Sequence, residues 1–283
     1  MIDKDLAKKL KEKYNPEGSQ LRKGQLRMVE MLNFIDTVCK ENGIVYWLSF
    51  GTLLGAVRHG DFIPWDDDAD ICMPLEDMLR FKHIMIHHNP SKEFILQCHE
   101  TDHGYCRSQW VVLRDLKSEY IQDSNFHNRL KYRGLQVDIF PVELSLSHMT
   151  KKVTDYIQWK FVWQPVMSNK WRHILFRPFN NIIWNLLNNC IIPCCRIFAK
   201  NKDMHDTYCI CYGVNIPYVT IGAKSDIYPL IRIKLADVYF NAPQNYDKYL
   251  KDIYGNYEKI PDSNNIETHN VEMVFYKECH PVT

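Results

Sequence analysis

Four aspartates within five residues, Asp66, Asp67, Asp68 and Asp70, stand between two apolar runs, Ile63-Pro-Trp65 before them and Ile71-Cys-Met73 after. On a strand alternate side chains point to opposite faces, so Asp68 and Asp70 share one face while Ala69 and Ile71 enter the core. Two carboxylates a few ångströms apart beside apolar neighbours repel each other and cost several kcal/mol unless protonated or neutralised by a cation. A divalent metal meets that need. Mg²⁺ takes one or two carboxylates together with waters and substrate phosphates, so the pattern points to phosphate chemistry rather than to a structural metal cage. Asp67 falls on the opposite face by the same parity and is left out of the site. Asp66 shares the parity of Asp68 and Asp70 at the strand entrance, where metal contact and a supporting role are both open.

Two further features could complete such a site. Upstream, residues 44–49 read as a short strand, Gly51 as a turn and residues 52–59 as a short helix; that sequence of elements leaves backbone N–H groups free to receive a phosphate. Downstream, residues 134–141 read as a strand with Val137 and Ile139 on one face and Asp138 on the other. An acid at the centre of a strand is costly unless it meets a cation or a hydrogen-bond donor. The Thr52 hydroxyl, Arg58 and Arg114 are candidates for phosphate contact, with Arg107 and Arg133 weaker ones, each against the default of a surface salt bridge. Trp65 either stacks on a base or packs in the core. His59 and His269 are weaker still, since a histidine beside a glycine turn or in a tail usually has a structural hydrogen bond.

The elements that must position these residues follow from patterning. Residues 1–20 read as a helix and loop. Residues 21–40 have apolar side chains at helical spacing, and Asn42-Gly43 supplies the stop. A helix over 75–88 follows the acids, then short strands at 94–98, 110–113 and 119–122. Residues 147–212 change character, with Trp159, Phe161, Trp163, Trp171, Phe176, Phe179 and Trp184 among Lys, Arg and Asn, which reads as a helical subdomain. Its most apolar part, 174–198, is broken by Arg177, Pro178, Pro193 and Arg196 and cannot span a membrane, although aromatics interleaved with basic residues would suit a peripheral membrane contact. Short strands are expected over 218–240, a helix over 243–254 with Pro243 near its first turn and Gly255 past its end, and a loop-like tail from Ile260 until 271–276. The expected division is 1–20, a catalytic core over 21–146, the helical subdomain 147–212, and 213–283 completing the catalytic domain.

Composition narrows the function. The chain has 283 residues, 46% of them hydrophobic, enough for one large domain or two lobes. Its 35 basic and 34 acidic residues give a net charge of +1, with none of the basic surplus that non-specific nucleic-acid binding requires. The N-terminus is charged from its third residue and has no signal-peptide pattern, which predicts a cytoplasmic protein. Ten scattered cysteines in such a chain are expected to be reduced and buried; Cys190, Cys194, Cys195, Cys209 and Cys211 cluster in sequence, but their spacing fits none of the usual zinc patterns.

A Gly-Thr turn, an Asp-x-Asp strand and a later Asp occur in this order in nucleotidyltransferase folds of the DNA polymerase beta type, which predicts an α+β core with a mixed sheet. Gly51-Thr-Leu-Leu-Gly-Ala-Val-Arg-His59, Ile63-Pro-Trp-Asp-Asp-Asp-Ala-Asp-Ile71, Val137-Asp-Ile-Phe-Pro141 and Tyr249-Leu-Lys-Asp-Ile-Tyr-Gly-Asn-Tyr257 resemble the successive motifs of the LicD family, which includes fukutin and fukutin-related protein. That resemblance implies transfer of a phospho-alcohol, such as phosphocholine from CDP-choline, to a sugar hydroxyl with Mg²⁺ or Mn²⁺. The acceptor would be a glycan or lipid-linked glycan of lipopolysaccharide or capsule, met at the inner face of the membrane. Asp68 and Asp70 would hold the metal, and Asp138 would either complete its ligands or accept the hydroxyl proton. The segment Asn264-Asn-Ile-Glu-Thr-His269 departs from the family pattern in lacking an Arg ahead of its final His.

Two rivals remain at this level. A metal-dependent glycosyltransferase also places Asp-x-Asp on a nucleotide diphosphate, but it leaves Asp138 unexplained. A catalytically silent scaffold in a glycan assembly complex would have no need for three carboxylates and a Gly-Thr turn.

Overall fold

The computed structural model describes residues 4–105, 110–122, 124, 126–144, 148–164, 171–200, 207–212, 220–261 and 272–279. Helix α1 (Lys4–Tyr14) leads to α2 (Gln20–Asn42), which the Ser19 hydroxyl caps by accepting from the Arg22 N–H, and which Gly43 ends in the left-handed conformation at φ 59°. Met28, Met31, Leu32, Ile35 and Val38 on one face of α2 are at most 2% exposed. They join one continuous core with Ile71, Met73, Val137 and Ile139 of the sheet. Burying each such side chain contributes about 1.5–3 kcal/mol.

The sheet is mixed. Strands β1 (Trp47–Leu48), β2 (Ala69–Pro74), β3 (Phe94–Gln97), β4 (Val111–Asp115) and β6 (Gln136–Leu144) lie in the order β1-β2-β6-β4-β3. β2 and β6 are parallel; the other pairings are antiparallel. Helix α3 (Phe50–His59) joins β1 to β2, and α4 (Leu75–His87) follows β2. β6 is long enough to take a further neighbour at its C-terminal half, β7 (Thr207–Ile210), which pairs onward with β8 (Thr220–Ala223). Two small ribbons complete the strands: β5 (Ser118–Ile121) with β11 (Glu272–Phe275), and β9 (Ile231–Leu235) with β10 (Val238–Ala242). The remaining helices are α5 (His148–Ile157), α6 (Trp171–Leu186), α7 (Ile192–Lys200), α8 (Lys224–Ile227) and α9 (Tyr246–Tyr254), with π-helical turns at Gln158–Trp163 and Leu187–Ile191. The fold is α+β.

Several boundaries move from their sequence-based places. The strand expected over 44–49 pairs only at Trp47 and Leu48, because Ser49 is already the N-cap of α3. The helical segment expected to run to 212 stops earlier, since residues 207–210 add to the main sheet through β6. Pro243 lies ahead of α9, whose cap is Asn245 accepting from the Lys248 N–H. Cysteines at the described positions are free thiols; Cys209 and Cys211 are buried as expected, whereas Cys190 and Cys194 are exposed on the helical segment.

Candidate active site

Register brings the two acidic segments together. β2 and β6 run parallel with Asp70 directly opposite Asp138, so both carboxylates leave the same side of adjacent strands. Asp68, just before β2, joins them: one carboxylate oxygen from each of Asp68, Asp70 and Asp138 lies within 4.8 Å of the other two. The start of α3 clamps this arrangement. The Asp70 N–H donates to the Thr52 Oγ1 at 2.7 Å, the Ser49 N–H donates to the Asp70 carbonyl at 3.1 Å, and the Gly51 N–H bonds to the Asp70 carboxylate. Behind the clamp, the Tyr249 hydroxyl on α9 sits 2.6 Å from the Ser49 Oγ and accepts from the Trp47 Nε1.

The chain reverses at Phe50, whose φ is +43°, rather than at Gly51, which lies inside the first turn of α3. The glycine has another purpose: a Cβ there would stand 2.7 Å from the Asp66 Oδ2 and 3.7 Å from the Asp70 Oδ2. Only a bare Cα lets the helix approach the carboxylates this closely. Gly55, one turn on, likewise leaves room for the 61–63 loop, where a Cβ would meet the Asp61 carbonyl at 2.7 Å.

Electrostatically the cluster is strained by its own charge. Burial pushes the Asp70 carboxyl well above its ordinary range, and Asp68, Asp138 and Asp66 push it further while the Gly51 amide opposes them. Asp66 is raised in the same way, by burial first and then by Asp68 and Asp67, with Arg58 pulling back. A set of hard oxygen donors that destabilise one another at neutral pH fits a divalent cation such as Mg²⁺ or Mn²⁺.

Beside the cluster lies a cavity of about 490 Å³. Asp67, Asp68 and Asp138 form one end, and Tyr105, Trp110, Tyr120, Phe126 and Trp163 supply aromatic walls, with Arg114, Gln122, His127 and Gln136 among the polar lining. Asp138 is oriented at its mouth by the Trp110 Nε1, which donates at 3.2 Å, and by the Gln136 Nε2 at 3.4 Å.

Residues 43–182 match the LicD/FKTN/FKRP nucleotidyltransferase domain family. Over 277 residues, covering 90% of this chain and 97% of the relative, the sequence is 24% identical to lipopolysaccharide cholinephosphotransferase LicD of Haemophilus influenzae. The chain belongs to the LicD family. A shorter stretch of 49 residues is 49% identical to ribitol 5-phosphate transferase FKRP of Homo sapiens, covering 17% of this chain and 10% of that protein. A stretch of 54 residues is 41% identical to mannosyltransferase regulator 4 of Saccharomyces cerevisiae, 5% of that protein's length. The relatives named as transferases support a phosphotransferase of the LicD type.

Against this LicD background the remaining sequence candidates fall in different places. Thr52 is fully buried and spends its oxygen on the Asp70 amide, so it holds the strand that carries Asp70 rather than facing the cavity. Arg58 is 5% exposed and donates to the Tyr257 carbonyl at 2.9 Å and the His59 Nε2 at 3.0 Å. It ties α3 to the segment after α9, while its charge still acts on Asp66. Arg114 lines the cavity but also donates to the Gln97 Oε1 and the Gly134 carbonyl, which fixes its head group. Arg133 pairs with Glu119. Trp65 packs edge-on against Tyr14 and His59, away from the cavity. His59 is kept neutral, its pKa pushed down to about 4 by burial and by Arg58. His269 and Arg107 lie outside the described residues.

Asp67 corrects the parity argument. Its carboxylate gathers with Asp66 and Asp68 within 4.8 Å and lines the cavity, because residues 66–68 form the loop entering β2 and do not alternate as a strand would. The aromatic wall was the other unread feature. Trp110 had a legible signal: it precedes β4, where Val112 pairs with Asp138, so an aromatic two residues earlier lies on the same face as that acid.

Proposed function

We propose that this LicD-family protein transfers a phospho-alcohol from a CDP-activated donor to a sugar hydroxyl, releasing CMP. The observation that carries the reading is the direct opposition of Asp70 and Asp138 with Asp68 alongside, three carboxylates whose mutual repulsion calls for a divalent cation. Asp68, Asp70 and Asp138 would hold Mg²⁺ or Mn²⁺, which when bound neutralises charge on a donor diphosphate. The protein's own part is alignment. The α3 clamp fixes Asp70, Trp110 and Gln136 fix Asp138, and Arg114 adds a rigid positive charge to the cavity wall. The sugar oxygen attacks the phosphorus bearing the alcohol, the bond to CMP breaks, and the hydroxyl proton leaves to a carboxylate at the cavity mouth; Asp138 either takes it or completes the cation's ligands.

The cavity favours a cationic alcohol. Aromatic faces attract an ammonium group, and the carboxylates at the cavity's end add to that attraction. Phosphocholine is therefore the proposed cargo, with a cell-surface or lipid-linked glycan as acceptor. The test is CMP release, followed by mass spectrometry of the acceptor, with CDP-choline, CDP-ethanolamine, CDP-glycerol and CDP-ribitol in the presence of Mn²⁺. Choline should lead and Trp110→Ala should erase its lead. Preference for CDP-ribitol would overturn the choice of alcohol, and turnover of UDP- or GDP-sugars instead would overturn the reaction.

A further inference from the structure

The chain's near-neutral charge hides a strong segregation. Residues 148–200 contain eight Lys and Arg and a single acid, Asp155, while the other 230 residues contain 27 Lys and Arg and 33 acids. That single acid is already engaged, 2.7 Å from the Nζ of the fully buried Lys151. Arg196 pairs with Glu143 outside the segment at 2.6 Å, and the segment holds no other acid for the rest of its basic surplus.

The same segment leaves its apolar side chains bare. On α6, Trp171, Leu175, Phe179, Ile182 and Leu186 are each more than half exposed. At 100° per residue they fall within an arc of about 80°, a continuous stripe about 22 Å long. Exposed apolar positions recur on α5 at Met149, Val153 and Tyr156, and on α7 at Ile197 and Phe198. Lys152 and Lys160 are exposed on the same segment, the latter over the Trp159 ring. Apolar surface of this extent marks a site of contact. No described helix is long and apolar enough to cross a membrane.

We propose that residues 148–200 dock this protein on an anionic lipid surface, with the α6 stripe sunk into the headgroup boundary and the exposed Lys152 and Lys160 on lipid phosphates. Charge decides for lipid over a second protein chain: a positive segment on an otherwise acidic molecule is drawn to an anionic bilayer in one orientation, and aromatics suit its interface. Docking also orients the site. Trp163, which ends the π-helical turn of this segment, lines the cavity, so the segment that would meet the lipid also forms part of the cavity wall. Delivery of a lipid-linked acceptor rests on the function proposed above; the docking does not.

The test is co-sedimentation of the full chain with vesicles of neutral phosphatidylcholine and with vesicles containing about 30 mol% phosphatidylglycerol. The anionic vesicles should bind at least about tenfold more strongly, and the difference should shrink as salt rises. Leu175→Glu/Ile182→Glu should lose about tenfold or more of that binding, with the circular dichroism spectrum and CMP release from soluble substrates unchanged. Should that variant fail to fold, Lys152→Glu/Lys160→Glu tests the electrostatic half alone and should weaken binding to anionic vesicles only. Equal binding to both vesicles, no binding to either, or wild-type binding by the variants overturns the proposal. So does a dimer that the stripe variants dissociate and lipid does not displace. Loss of transfer with intact vesicle binding would count against the function and leave the docking standing.

Discussion

Asp36 and Asp70 are both enclosed aspartates, and they are treated in opposite ways. Asp36 on α2 is 3% exposed and is met by the Arg232 Nη1 at 2.7 Å, the Lys40 Nζ at 2.5 Å and the Tyr46 hydroxyl at 2.6 Å. Burial alone would raise its carboxyl, but these partners outweigh it and hold the group below its usual range. Asp115 also has hydrogen-bond partners of its own, the Arg27 guanidinium and the Ser118 hydroxyl. Asp70 instead meets Asp68, Asp138 and Asp66. A buried acid that serves structure here brings its own cation; one packed against other acids is uncompensated by the protein, as the proposed external cation would require.

The largest effect should follow from removing a carboxylate of the second kind. Asp70→Asn or Asp138→Asn should lower CMP release by about 10³-fold or more, equivalent to about 4 kcal/mol of transition-state stabilisation. Neither should lower the Tm measured in EDTA, since a repelling charge has gone. Mn²⁺ should raise the Tm of the native protein and not that of Asp70→Asn. Near-normal turnover in either variant would erase the contrast with Asp36.

The converse change attacks the compensated kind. Arg27→Met leaves the Asp115 carboxylate, whose side chain is 0% exposed, without its guanidinium. Uncompensated buried charge of this sort costs about 3 kcal/mol, read as a lower urea midpoint, while transfer per folded molecule stays the same. A larger loss of turnover than of stability would show that the two regions are not separate.

The two regions were also unequally legible in the sequence. The grouping of Asp70 with Asp138 is readable because strand parity and the cost of an acid among apolar neighbours are local properties, and the register of β2 on β6 then brings the two together, with Asp68 joining them from the loop ahead of β2. The helix spans of α2 and α4 followed from apolar periodicity and the Gly43 stop in the same way. Parity misled at Asp67 because it assumes a strand, and residues 66–68 are a loop. The sequence places a turn at Gly51, yet the left-handed residue is Phe50, and the reason for the glycine is a carboxylate fifteen positions away. Arg58 and Thr52 have residue types that bind phosphate, but their partners, the Tyr257 carbonyl and the Asp70 amide, are set by tertiary packing that no spacing reveals.

Thr52 offers a smaller, sharper test of the clamp. Thr52→Val keeps shape and removes the oxygen, leaving the Asp70 N–H unpaired in the interior at a cost of about 1–3 kcal/mol. Because that amide positions the strand bearing the cluster, the Mn²⁺ concentration for half-maximal transfer should rise as well, and Thr52→Ser should restore both. A stability loss with unchanged Mn²⁺ dependence would reduce Thr52 to a packing residue.

The finest distinction is in the pH dependence of the metal-free protein, where the two kinds of acid have opposite signs. For Asp36 the folded form holds its proton less tightly than the unfolded chain does, so its stabilisation is present above 3.8 and is lost as the pH falls through the lower folded value. For Asp66 and Asp70 the folded form holds protons more tightly, so their contribution is full below 3.8 and drains away as the pH rises through their raised values. In EDTA, the urea midpoint should therefore decline from mildly acidic toward neutral pH, and Asp70→Asn should flatten that decline. Saturating Mn²⁺ should flatten it too, because the ion replaces the proton as the counter-charge. Arg232→Met should instead flatten the loss at the acid end, since Asp36 would lose the partner that lowers its carboxyl most. If Asp70→Asn leaves the neutral limb unchanged, the aspartate cluster is compensated within the protein after all, and the distinction between the two regions fails.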